Sequence, residues 1–213
     1  MDTDSPRPAR LSDALREGSA AEHRAAEASP FVGDLLAGRA TRRQYAGYLH
    51  RLRVVYAALE AALHSHRDHP AVAAVYDEGL VRTDALDRDL EHWSPGAGQE
   101  PASAGASAYR DRIETASATP ELLVAHHYTR YLGDLSGGRV LARALRAARD
   151  GDDTGLAFYD FPAVPKPVPY KRDYRDRLDA LTLTSVQQRA LVDEVRCAFR
   201  LNRGLLDEVG ALA

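Results

Sequence analysis

The chain has 213 residues, 45% hydrophobic and 28% charged, the balance of a globular protein with enough chain for one ordinary domain and too little for two. A formal net charge of -3 provides no global attraction to nucleic acid or an anionic membrane. The single cysteine, Cys197, excludes an intrachain disulfide framework and reads as a small apolar filler on a helix.

Residues 1–9 hold two prolines and mixed charge and are expected to lack order, which leaves 10–213 as one domain. No apolar signal core opens the sequence, and no stretch approaches the ~20 apolar residues needed to cross a bilayer. Leu11, Ala14, Leu15 and Gly18 recur at helical spacing and predict a first helix from Leu11 to Ala28, with Ser12 as a cap and Pro30 at its exit. Thr41 is a good N-cap for a second helix, whose apolar face carries Tyr45, Tyr48, Leu49, Leu52, Val55, Tyr56, Leu59 and Leu63. A shorter helix over 71–93, broken near Gly79, precedes a Pro/Gly/Ala/Ser-rich loop at 94–107. Tyr109–Ala116 predicts a short helix. Thr119-Pro120-Glu121 is a strong start signal for a long one running to Arg149. Four prolines and two glycines make 151–169 irregular, and helices resume over Tyr170–Ala180 and Ser185–Val209. Strand-like alternation is almost absent, so the fold is all-α, with about eight helices.

The helix after Thr119 breaks a rule. Its YLGDLSGGRV stretch places Gly133, Gly137 and Gly138 inside an otherwise periodic segment. Each interior glycine costs about 1 kcal/mol against alanine. Two kinds of reason are open: helix–helix contact or a turn between two helices, or close approach of something flat to bare backbone. Asp134 lies four residues from both Arg130 and Gly138 and shares their face, which describes either a polar spot above a flat ligand or a solvated ion pair. In the first helix, His23 follows Arg16 by seven residues, about 10.5 Å along a continuous helix. That spacing suits an imidazole at the centre of a tetrapyrrole and a cation at its carboxylate edge. Glu27, four residues on, could accept the imidazole's second N–H. A structural histidine is the alternative. YKRDYRDR, residues 170–177, pairs Lys171 with Arg175 one turn apart, either as a solvated helix face or as a clamp for carboxylates. His64, His66 and His69 read as a solvated patch. His126 and His127 point about 100° apart and cannot share one ligand.

With these residues in view, the chain resembles the biliverdin-producing haem oxygenases. The densest match is ELLVAHHYTRYLGDLSGGRVL, residues 121–141; LSDALREGSAAEHRAAE, residues 11–27, is the second, and GLAFYDFP, YKRDYRDRLDAL and CAFRLNRGLL follow in the family's order. The resemblance implies an all-α fold with haem sandwiched between a proximal and a distal helix. It implies His23 as the iron ligand, Glu27 as its hydrogen-bond partner, and Gly133, Gly137 and Gly138 as bare backbone over the ring. Asp134 would hold a water near bound O2, with Tyr56, Arg130 and Asn202 in the surrounding polar network. Arg16, where the family often has lysine, Tyr128, Lys171 and Arg175 would meet the haem propionates, and Phe199 would wall the pocket. Haem would be substrate and cofactor, cleaved with O2 to biliverdin, CO and ferrous iron. No flavin or nicotinamide fingerprint is present, so electrons would come from a ferredoxin or flavoprotein reductase, for which Arg24, Arg39, Arg42 and Arg43 offer local positive charge. The absence of the hydrophobic tail of membrane-anchored members, together with the arginine- and alanine-rich composition, implies a soluble, cytoplasmic, bacterial type. A haem carrier or sensor without turnover is the alternative.

Overall fold

A computed structural model describes residues 10–96 and 102–212. The expectations for residues 1–9 and for the centre of the 94–107 loop lie outside those residues. Every regular element among the described residues is helical, in agreement with the all-α expectation.

The N-terminal segment forms two helices, α1 (Leu11–Gly18) and α2 (Ala20–Glu27), where one was predicted. The break is at Ser19, whose hydroxyl donates back to the Leu15 carbonyl at 2.7 Å, a local bond that competes with the helical ladder. Gly18 permits close approach to the C-terminal helix: a Cβ there would lie 2.5 Å from Cγ1 of Val192. Ser12 does not cap α1. Its backbone N–H and hydroxyl both donate to Asp179. Pro30 follows the end of α2 as expected and also supplies the first turn of α3 (Pro30–Leu36).

Thr41 caps α4 (Arg42–Ser65) as expected, through a full capping box with Gln44. The predicted helix over 71–93 divides into α5 (Pro70–Ala73), a single turn at Glu78–Leu80, and α6 (Thr83–Trp93). α7 (Ala104–Ala116) starts earlier than predicted because Ser103 Oγ accepts from the N–H of Ala106 at 3.0 Å. After Thr119, whose hydroxyl makes no capping bond, one continuous helical rod runs from Pro120 to Ala147. It comprises a first turn at Pro120–Leu122, α8 (Leu123–His127), two wide-turned π segments (Tyr128–Leu132 and Asp134–Gly138), and α9 (Arg139–Ala147). α10 (Pro167–Asp179) and α11 (Ser185–Gly210) complete the order.

α4 and α11 organise the molecule. α4 packs on α6, α7 and α8; α11 packs on α1, α2, α3, α4, α7 and α8. Leu49, Leu52, Val55, Tyr56 and Leu59 of α4 and Leu191, Val195, Ala198 and Leu205 of α11 are fully buried, each large apolar side chain contributing about 1.5–3 kcal/mol of transfer free energy. Replacing Leu52 with alanine removes buried methylenes and leaves a cavity at the centre of this packing. The expected cost is about 2–5 kcal/mol, read as a fall in the urea midpoint with an unchanged denaturant slope.

Candidate functional site

α2, α3, α9, α11 and the wide-turned segments enclose a cavity of about 610 Å³, within the size range of cofactor pockets. Its lining includes His23, Glu27, Tyr128, Arg130, Gly133, Asp134, Gly137, Gly138, Arg175, Phe199 and Asn202, with apolar walls from Val32, Leu36, Leu132, Val140, Leu141 and Leu206. Most of the residues singled out in the sequence therefore meet at one place.

His23 stands at the cavity with its side chain half exposed. Its Nδ1 lies 3.4 Å from Oε2 of Glu27, a contact that does not involve Nε2. Phe199 packs edge-on to the imidazole, ring centroids 5.3 Å apart at 89°, and restrains its rotation.

On the other helix, an added Cβ at Gly133 or at Gly137 would meet nothing within 4 Å. These two glycines present bare backbone to open space. Gly138 differs: its Cβ would lie 3.3 Å from Cδ1 of Tyr159, so its smallness also serves packing against that ring. The segment is not an ordinary α-helix either. Its π turns widen the backbone, a feature concentrated at functional sites, and side-chain-free positions lower the barrier to such widening.

Behind the glycines lies a buried polar cluster. Tyr56 donates to Oδ2 of Asp134, Arg130 Nε donates to the Tyr56 hydroxyl at 3.2 Å, Arg130 Nη2 lies 3.6 Å from Asp134 Oδ1, and Arg130 Nη1 donates to Oδ1 of Asn202. Tyr56 itself does not line the cavity; it supports Asp134 from behind. Burial pushes the Asp134 carboxyl above the usual carboxylate range, against the opposing pull of Arg130, the Tyr56 hydrogen bond and Arg82. Burial likewise pushes the Tyr56 phenol well up, so it remains a donor.

The cations expected at one edge divide between lining and surroundings. Arg175 lines the cavity, but Arg16 and Lys171 do not. The break at Ser19 removes the continuous helix on which the Arg16–His23 spacing rested, and the Arg16 guanidinium pairs with Asp13 at 3.1 Å and Glu17 at 3.3 Å. Lys171 donates to Oγ of Ser136, a lining residue, at 2.8 Å. Both cations sit at the rim. Burial raises the Tyr128 phenol, while Arg175 and Arg16 beside it pull it down. Of the arginines expected to attract an acidic partner, Arg39 pairs with Asp34 at 2.8 Å, and Arg42 donates to the His92 carbonyl and lies over the Trp93 ring.

Sequence reasoning missed Tyr48, Thr129, Ser136 and Tyr159 as lining residues. Tyr48 carried a signal, since it precedes Tyr56 by eight residues on the same face of α4. Tyr159 carried none that periodicity could reveal, because it sits on a one-turn helix, Ala157–Tyr159. Neither His126 nor His127 lines the cavity: His126 Nε2 pairs with Glu194 at 2.9 Å and His127 Nδ1 with the Tyr174 hydroxyl at 2.9 Å. No group of three or more His, Cys, Asp or Glu among the described residues could hold a bare metal ion, and the 64–69 histidines are no exception.

The chain matches the family model described as Heme oxygenase over residues 9–208. Among curated relatives, "Heme oxygenase" of Pyropia yezoensis is 38% identical, covering 94% of this chain and 86% of its own length. "Heme oxygenase 1" of Homo sapiens is 37% identical, covering 96% and 73%. The crystal structure of heme oxygenase-1 from the cyanobacterium Synechocystis in complex with heme superposes with a TM-score of 0.90 at 36% identity, covering 96% of this chain and 94% of that one. The heme oxygenase of Leptospira interrogans superposes with a TM-score of 0.88 at 34% identity, covering 94% and 100%. The chain belongs to the heme oxygenase family. It is a haem-degrading enzyme, with haem as both substrate and cofactor and O2 as co-substrate.

One buried titration beside the site is predictable. His127 is fully enclosed, and burial, reinforced by the Arg177 charge, lowers its pKa to about 3. The unfolded chain takes up this proton near pH 6.5, whereas the folded chain refuses it down to about pH 3. Stability from this group is therefore complete above pH 6.5 and declines as pH falls towards 3. Between pH 7 and pH 5 the expected loss is about 2 kcal/mol, measured by urea unfolding; in the His127→Gln variant that component is absent.

Proposed function

We propose that this cavity holds haem between His23 and the 133–138 backbone and opens the ring to biliverdin, CO and ferrous iron. The observation that carries the assignment of roles is the single cavity with an exposed imidazole on α2, side-chain-free backbone at Gly133 and Gly137, and a buried carboxylate at Asp134. Bound haem supplies both the iron that activates O2 and the ring carbon that is oxidised.

His23 would hold the haem iron through Nε2, with Glu27 at Nδ1 fixing the tautomer and ring direction. Gly133 and Gly137 let the helix lie against the flat face of the ring. The same closeness excludes a bulky acid–base side chain from direct contact above the iron and confines what binds there. Asp134 would hold a water on this face of the cavity and give and recover a proton through it. Its raised pKa suits a group that must both give and recover a proton. Arg130, Tyr56 and Asn202 fix Asp134 in place. Arg175 and Tyr128 in the lining, with Lys171 and Arg16 at the rim, would meet the propionates.

The electrons would come from a ferredoxin or flavoprotein reductase. Among the described residues no helix is long and apolar enough to cross a membrane. The reading also takes residues 10–213 as one domain, and its arginine- and alanine-rich composition as that of a cytoplasmic bacterial enzyme.

Haem titrated into the purified protein gives a Soret band, and ascorbate in air bleaches it to a green product. A carrier or sensor would keep its haem spectrum under the same conditions. His23→Ala loses the normal iron ligation and turnover; unchanged ligation rejects His23 as the ligand. Asp134→Ala keeps haem bound but forms biliverdin about 10²-fold more slowly or worse, the worth of a positioned proton donor. The parental rate in that variant rejects the relay.

A further inference from the structure

Asp89, on α6, is almost completely buried, and nothing in the reaction described above uses it. Its two oxygens are both engaged: Oδ1 accepts from the N–H of Ala157 and Oδ2 from the N–H of Phe158, each at 2.8 Å. A buried carboxylate is costly even when hydrogen-bonded, and a turn of this kind can be held by neutral groups. What the turn holds gives the cost a reason. Phe158 packs edge-on to Tyr56, centroids 5.5 Å apart at 72°. Tyr159 packs against Gly138 and lines the cavity. The turn at 157–159 touches both α6 and the 134–138 segment. One helical turn beyond Asp89, Trp93 Nε1 donates to the Gly155 carbonyl at 2.8 Å. Gly155 has φ +74, and a Cβ there would strike the indole at 2.5 Å. α6 thus grips both ends of residues 155–159.

We propose that Asp89 is a positioning residue for the distal proton donor. By clamping the 157–159 turn, it seats Phe158 behind Tyr56 and Tyr159 behind Gly138, so that the Tyr56–Asp134 hydrogen bond and the wide-turned backbone keep one arrangement. Asp89 touches neither haem nor oxygen. It acts through Tyr56 and the 134–138 backbone, while the His23 side is unaffected. The functional consequence rests on the haem oxygenase reading; the structural one does not.

The test uses Asp89→Asn, which keeps the size of the side chain but sets an amide against a backbone donor. In the haem-free protein, amide hydrogen exchange at 134–138 is expected to accelerate at least about fivefold relative to amides in α11, marking local opening rather than global unfolding. With haem bound, haem affinity stays within about twofold, the pH midpoint of the ferric complex's visible spectrum shifts in the same direction as in Asp134→Asn, and kcat falls at least about fivefold. Phe158→Leu, which leaves the carboxylate clamp intact but removes the ring behind Tyr56, is expected to shift the spectral midpoint in the same direction, and it decides the question if Asp89→Asn does not fold. Uniform acceleration of exchange across the protein, or unchanged exchange at 134–138 with an unshifted midpoint, overturns the proposal. Selective exchange at 134–138 in a protein that never degrades haem would instead uphold the clamp and reject the functional reading.

Discussion

The site depends on keeping one carboxylate, Asp134, inside the protein beside bare helix backbone. Isolated, such a charge is far too costly to bury. Here the Arg130 guanidinium one turn earlier and the Tyr56 hydroxyl from α4 share the load, and Asn202 from α11 takes the remaining guanidinium direction. The two long α-helices α4 and α11 therefore meet the glycine-bearing rod through this polar cluster as well as through the apolar core. The glycines weaken the rod locally, and the cluster restrains it at the same level.

The proximal side follows the opposite logic. His23 is half exposed and is restrained by an ordinary i, i+4 carboxylate and one aromatic edge. A softly held imidazole facing a rigid polar wall gives an asymmetric pocket, and the proposed reading places ligation on one face and proton control on the other. The apolar walls between them come from α3 and α9, and the cations gather at the rim beside α10.

The sequence made much of this legible, for reasons that differ by element. Thr41 is a local N-cap signal, and α4 began where that residue placed it, with Gln44 completing a capping box in the structure. The α1–α2 break was hidden because Ser19 bonds to Leu15 within a stretch whose apolar spacing continues across it. The π turns were hidden because an i to i+5 ladder arises from tertiary demand, although the three glycines marked where it would fall. Ser12 shows the reverse failure, a good local signal whose hydroxyl and N–H go to Asp179 instead, whereas Thr119 preceded its helix as expected without making the capping bond, and Pro30 both follows the exit of α2 and begins α3. Arg16 and Lys171 were placed by spacing and resemblance, yet a kink and a serine partner hold them at the rim. Tyr159 and Asp89 were beyond sequence reasoning, since their meeting is set by a loop folding back onto α6.

A structure of the haem complex tests the central claim most directly. The account predicts iron on Nε2 of His23, the ring face against the Cα atoms of Gly133 and Gly137, and a water bound to the Asp134 carboxylate. Iron held by any other side chain, or a ring lying away from the 133–138 backbone, would contradict it.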